Sequence, residues 1–120
     1  VFETFFYKDK QGNEPVLKYI QKLASRKDKD SRIRLNKIYD YLDFLEQVGK
    51  AAGEPYVKHL DGEIWELRPL KDRILFAAWD GAKIILLHHF IKKTMKTPPR
   101  EIKQAKRNLA DYRERGNNNG

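Results

Sequence analysis

From Glu63 to Phe90 the sequence falls into three short strand-like runs rich in Ile, Leu, Phe and Trp, Glu63 to Arg68, Asp72 to Trp79 and Lys83 to Phe90, which are read with a period of two. Turn-forming residues, Pro69-Leu70-Lys71-Asp72 and Asp80-Gly81, separate the runs. A period of two sends successive side chains to opposite faces of a strand, and strands this closely linked pair with their chain neighbours. The stretch therefore predicts an antiparallel meander.

On either side of the meander the period becomes helical. Val16, Leu17, Ile20, Leu23 and Ala24 share one stripe of a helix over 14–27, with Asn13 as its cap and Pro15 in its first turn. Leu35, Ile38, Leu42 and Leu45 mark a second helix that stops at Gly49, and the two are expected to form a hairpin. Phe2 to Lys8 is read as a first strand and Lys50 to Gly62 as a loop. Thr97-Pro98-Pro99-Arg100-Glu101 opens the last helix, with Thr97 as cap, Pro98 at the first position, and Ile102, Ala105, Leu109 and Tyr112 on the buried stripe. The sum is an α+β fold, a mainly antiparallel sheet with an N-terminal helical hairpin and a C-terminal helix. With 120 residues, 40% of them apolar, the chain makes one domain, expected over residues 1–115, and the polar residues 116–120 form an unfolded tail.

Register brings specific side chains together. If Pro69 to Asp72 is a four-residue turn, Arg68 faces Arg73 and Glu66 faces Leu75. If Asp80-Gly81 is a two-residue turn, Trp79 pairs with Ala82 and Arg73 comes opposite His88; a three-residue turn makes the partner His89. Glu66, Arg68, Arg73 and His88 then share one end of one face, and the other face receives Trp65, Leu67, Ile74, Phe76, Ile85 and Leu87, to be covered by the helical hairpin. Two opposed arginines repel unless negative charge lies between them. Two sources are open: an internal ion pair with Glu66 that supports the sheet, or a bound anion. The chain carries a net charge of +8, and eight Lys or Arg against one acid fall between Lys83 and Arg107. Lys92, Lys93 and Lys96 leave the last strand beside the arginines, and Lys71, Arg100, Lys103 and Arg107 extend the basic surface, which favours a phosphate-binding concavity.

Other chemistries find no support. Without cysteine there is neither a disulfide nor a thiolate metal site, which fits a reducing cytoplasm. His88 and His89 are adjacent and point to opposite faces, so no metal site is expected, and no cofactor motif is present. Val1 to Tyr7 lacks the pattern of a signal peptide, and the run Ile84 to Leu87 is far too short to cross a bilayer.

The segments Leu60-Asp61-Gly62-Glu63-Ile64-Trp65-Glu66-Leu67-Arg68, Asp72-Arg73-Ile74-Leu75-Phe76, Leu86 to Pro98 and Ile102-Lys103-Gln104-Ala105 resemble, in order and spacing, the phage-derived HigB-like branch of the RelE/ParE toxin superfamily. The resemblance implies a RelE/ParE-like fold and the toxin of a type II toxin-antitoxin pair, held by a HigA-like antitoxin. It also implies a ribosome-dependent, metal-independent endoribonuclease that cuts mRNA by attack of a ribose 2′-hydroxyl on the adjacent phosphate. Carried onto this sequence, Arg68 and Arg73 match phosphate-clamping arginines and Lys92 and Lys93 the basic block. A lysine or His88 would move protons, while Lys96, Lys71, Arg100, Lys103 and Arg107 would bind RNA. No tyrosine follows the last strand in the manner of some relatives, which leaves the general base unassigned. A ParE-like gyrase inhibitor of the same fold and a non-enzymatic nucleic-acid-binding module are the competing readings.

Overall fold

The computed structural model describes residues 1–79 and 81–118. Its elements run β1 (Glu3–Phe6), α1 (Pro15–Ser25), α2 (Lys29–Val48), a 3-10 turn (Gly49–Ala52), β2 (Val57–Asp61), β3 (Ile64–Leu67), β4 (Asp72–Trp79), β5 (Lys83–Ile91) and α3 (Pro99–Asn118). The strands form one sheet in the order β1-β5-β4-β3-β2. The meander is present and continues through β2, while β1 pairs with β5 in parallel, Glu3 against Lys83 and Phe6 against Leu86. The fold is α+β, as the periodicities require.

Helices cover both faces of the sheet. On one, Val16 and Ile20 of α1 and Ile38 and Leu45 of α2 pack on Leu67, Ile74, Phe76, Ile84 and Leu86. On the other, Ala105 and Leu109 of α3 pack on Ile64, Leu75, Ala77, Ile85 and Leu87. Burial on both sides leaves every residue of Ile74–Ala77 and Ile84–Leu87 at 0% exposure, which explains why β4 and β5 are apolar almost without interruption. Gly49 ends α2 at φ 61°, where a side chain would also meet the Phe2 ring at 2.6 Å. No helix among the described residues is long and apolar enough to cross a membrane.

Four sequence expectations are corrected here. Of the two registers left open, Trp79 starts in that of the three-residue alternative, opposite Lys83 and not Ala82, so β5 is shifted by one residue and Ile84 and Leu86, not Ile85 and Leu87, join Phe76 on the hairpin face. Asp80, on which the predicted turn type rests, lies outside the described residues. A bulge then intervenes, since Phe76 pairs with Leu86 but Leu75 with His88; Arg73 consequently faces Phe90 and neither histidine. The Leu87 carbonyl at the bulge accepts a hydrogen bond from Asn108 Nδ2 of α3 at 2.8 Å. Next, the expected loop of Lys50 to Gly62 contains β2, which exposes all but Val57 and half-buried Leu60 and so shows no apolar alternation. Third, neither predicted helix cap is made: Asn13 donates its backbone N–H to Asp9 Oδ1 at 2.9 Å, and the Thr97 hydroxyl donates to Glu66, with α3 starting at Pro99. Last, α3 continues through Gly116 to Asn118, because extending a formed helix costs far less than starting one, and residues 119–120 of the expected tail lie outside the described residues.

Candidate functional site

β3 places Glu66 on the α3 face, opposite Lys58 of β2 and Leu75 of β4. Arg73, two residues before Leu75 on the same strand, projects to that face as well. The two arginines converge there on one carboxylate oxygen: Arg68 Nε lies 3.4 Å and Arg73 Nε 3.8 Å from Glu66 Oε1. The Thr97 hydroxyl donates to Oε2 of the same carboxylate. Glu66 is 2% exposed, so it meets these partners in a poorly screened setting.

The arginines are held differently. Arg73 is 5% exposed, and its Nη1 donates to the carbonyls of Leu70 at 2.7 Å and Asp72 at 2.9 Å. Leu70 adopts φ 55°, an uncommon conformation for leucine, and presents its carbonyl to the guanidinium. Burial lowers the Arg73 pKa from its ordinary value and Arg68 adds to this, against the pull of Glu66. Arg68 is looser, with Nη1 3.6 Å from Glu54 Oε1 at the rim. Its buried Nε has no hydrogen-bond partner, because the 3.4 Å approach to Glu66 does not make one.

These groups surround a cavity of about 220 Å³ between the sheet, the start of α3 and the loop before it. Its lining includes Lys58, Arg68, Arg73, Lys92 and Lys96, five cations, against the single carboxylate of Glu66. Both sources of negative charge left open by the sequence thus bear on the site. The Glu66 ion pairs exist, and they neutralise only part of the positive charge. A wider hollow of about 730 Å³, between β1 and α2, is lined by Glu3, Asp43 and Glu46 with Lys83 and gathers no such cluster of cations.

Behind Arg73 a second polar group fixes the start of β4. Asp72 is fully buried; its Oδ1 accepts from Tyr19 at 2.7 Å, Arg34 Nη2 at 2.8 Å and His89 Nε2 at 3.0 Å, and Oδ2 accepts from Arg34 Nε at 3.1 Å. Burial opposes the Asp72 charge, but the hydrogen bonds from His89, Arg34 and Tyr19 outweigh it and hold the carboxyl well below the usual range. Burial also lowers the His89 pKa, against the pull of Asp72. The Tyr19 and His89 rings stack at 3.4 Å.

Of the residues singled out by sequence, Arg68, Arg73, Lys92 and Lys96 line the cavity together. The others stand outside its lining. His88 is on the α3 side, with Nε2 2.8 Å from Glu101 Oε1, and Lys93 is exposed on the loop. Lys71 approaches Asp30 at 3.8 Å on the far side of the β3–β4 turn, and Arg100 Nε is 3.9 Å from Glu101. Lys103 and Arg107 lie exposed along α3, Arg107 bonded to Gln104 at 2.7 Å. Sequence reasoning missed Lys58 and Thr97, the first because β2 passed for loop and the second because a Thr before two prolines reads as a cap. The signal for Lys58 was its position on a run entering the meander.

A family model described as phage derived protein Gp49-like (DUF891) matches residues 18–110, which include all of the cavity lining. No curated protein matches the chain.

Proposed function

We propose, from the premise that the chain belongs to the phage-derived Gp49-like family, that it is the toxin of a type II toxin-antitoxin pair and cuts mRNA on the ribosome without a metal. The observation that supports this best is the surplus of five cations over one carboxylate around a cavity of about 220 Å³. Arg73 is buried and Arg68 half-buried, with Lys58, Lys92 and Lys96 nearer the solvent, and so many like charges around one carboxylate favour an anion, for which a phosphodiester fits. Arg68 and Arg73 stabilise the charge that grows on the phosphoryl oxygens as the 2′-hydroxyl attacks. Lys92 and Lys96 hold the flanking backbone and supply a proton to the leaving 5′-oxygen. His88 would have to leave Glu101 to take part, so the proton transfer is given to a cavity lysine. Lys71, Lys93, Arg100, Lys103 and Arg107 meet RNA outside the cavity.

Among the described residues no group of three or more His, Asp or Glu is placed to hold a metal ion, so the reading relies on the side-chain cations for charge stabilisation. A HigA-like antitoxin with an acidic surface fits the basic face, where it would block the cavity or make the toxin too bulky for the ribosome. The test is mRNA 5′-end mapping with purified protein, with and without ribosomes. Cleavage only with ribosomes, resistant to EDTA once ribosome integrity is controlled, and leaving 2′,3′-cyclic phosphate ends is the expected result. Intact mRNA together with inhibited gyrase supercoiling would replace this reading with the ParE-like one.

A further inference from the structure

A carboxylate at the centre of a cationic cavity needs a reason, since it weakens the very anion affinity that the surrounding cations provide. Glu66 is 2% exposed, lines the cavity and directs one oxygen toward the arginines and the other toward a hydroxyl, that of Thr97. Thr97 comes from the loop between β5 and α3, which also carries Lys92 and Lys96 to the cavity. The same carboxylate therefore sits beside the groups that would grip a phosphate and already accepts a hydrogen bond from an aliphatic hydroxyl.

We propose that Glu66 is the acceptor for the ribose 2′-hydroxyl and the general base of cleavage, with the Thr97 hydroxyl occupying that hydroxyl's place in the free protein. The inference rests on the nuclease reading above. In the step, Glu66 Oε2 takes the 2′-hydroxyl proton as the 2′-oxygen bonds to phosphorus. The bond from phosphorus to the 5′-oxygen breaks, and the leaving oxygen takes a proton from a cavity lysine. Glu66 ends protonated and the lysine neutral, and exchange with water restores both. No further reactant is needed. The arginines serve twice, since they hold the Glu66 carboxylate in place from one side while they bind the phosphoryl oxygens. A Glu66 that only braced the sheet would have no use for the identity of the sugar.

The experiment has two arms on the intact chain. In the first, single-turnover cleavage of a defined mRNA on ribosomes is compared for wild type and Glu66→Gln, which keeps shape and removes the base. The rate is expected to fall about a hundredfold or more, while stabilisation by inorganic phosphate persists. A Glu66→Gln rate within threefold of wild type overturns the proposal and leaves the nuclease reading standing. In the second arm, adenosine 3′-monophosphate is titrated against its 2′-deoxy counterpart. Wild type is expected to prefer the ribonucleotide about tenfold, a preference lost in Glu66→Gln. Thr97→Val keeps the proposal falsifiable if Glu66→Gln fails to fold: with the competing hydroxyl removed, ribonucleotide binding should tighten about threefold or more. Equal binding of the two nucleotides by wild type, or weaker ribonucleotide binding by Thr97→Val, overturns it. If wild type cleaves nothing yet prefers the ribonucleotide, the nuclease reading and the base role fall together, and Glu66 is left only as a ribose contact.

Discussion

Removing the Asp72 carboxylate should be among the most damaging single changes to this fold. Asp72→Ala deletes the acceptor of four hydrogen bonds from α1, α2 and β5 and leaves Arg34, 7% exposed, with Asp30 Oδ2 at 3.7 Å as its remaining acid. That neighbour is 66% exposed and compensates little. Breaking a buried ion pair from one side costs about 3–5 kcal/mol. For a chain of this size about 4 °C of Tm accompanies each kcal/mol, so a fall on the order of 12–20 °C is expected by calorimetry. Adding Arg34→Met should recover much of the loss, because the stranded charge is gone. Acid should act in the same direction. The lowered His89 pKa means that the unfolded chain binds the proton more readily, so its contribution is present above the ordinary value of 6.5 and lost as pH falls through the folded value. The lowered Asp72 pKa adds a second loss beginning below 3.8, and Asp72→Ala should remove that second phase. A loss under about 1 kcal/mol in Asp72→Ala, or a double variant no more stable than the single one, would refute the argument that an unpaired buried charge dominates the energetics.

Other changes reach the cavity and the helix that walls it. Arg73→Ala should abolish growth arrest on expression, with a loss on the order of a hundredfold or more in cleavage rate while antitoxin binding is kept; an active Arg73→Ala protein would remove the phosphate clamp from the reading. Lys92→Ala and Lys96→Ala should each give smaller, non-additive losses in kcat/KM, and Lys93→Ala less than either, since Lys93 stands outside the cavity. Tyr7 donates to Asp111 at 2.6 Å, and burial helps push its pKa up to about 12, so Tyr7→Phe should cost about 1–2 kcal/mol in urea titrations. The stabilisation should be present at neutral pH and fade above pH 10.0, where the unfolded tyrosine begins to ionise.

How much of this was visible in the residues depends on which side chains carry the pattern. Elements that bury a pattern announce themselves: the periodicities of α1, α2 and α3 follow from burial of one stripe, and the apolar runs of β4 and β5 from burial on both faces. β2 was hidden because an exposed edge strand needs no apolar alternation, and with it went Lys58. The Thr97 error has a different origin. Its side chain chose a buried carboxylate over the backbone amides of its own helix, and only tertiary contact decides such a competition.

Strand register is where reading from sequence and chemistry meet most closely. The β3–β4 turn was legible because Pro69 and Asp72 close it, the Asp72 N–H donating to the Pro69 carbonyl at 3.0 Å, and from it follows the pairing of Glu66 with Leu75 that places the carboxylate. The β4–β5 register was not legible, because a bulge at Leu87 leaves no mark in a run of apolar residues. Its effect on the site is large. Without the bulge the shifted strand would set His89 against Arg73; with it, Phe90 takes that place, His89 turns to Asp72, and His88 turns to Glu101. One extra residue thus takes His89 off the arginine face and puts His88 on it, where His88 turns to Glu101, so that neither histidine lines the cavity. It leaves the cavity with cations, one hydroxyl and one carboxylate as its polar groups besides His59, whose Nε2 lies 2.7 Å from the Gly62 carbonyl. If RNA is cut there, Glu66 is the group in the cavity best suited to take a proton, which is why the comparison of Glu66→Gln with wild type bears on the whole site and not on one side chain.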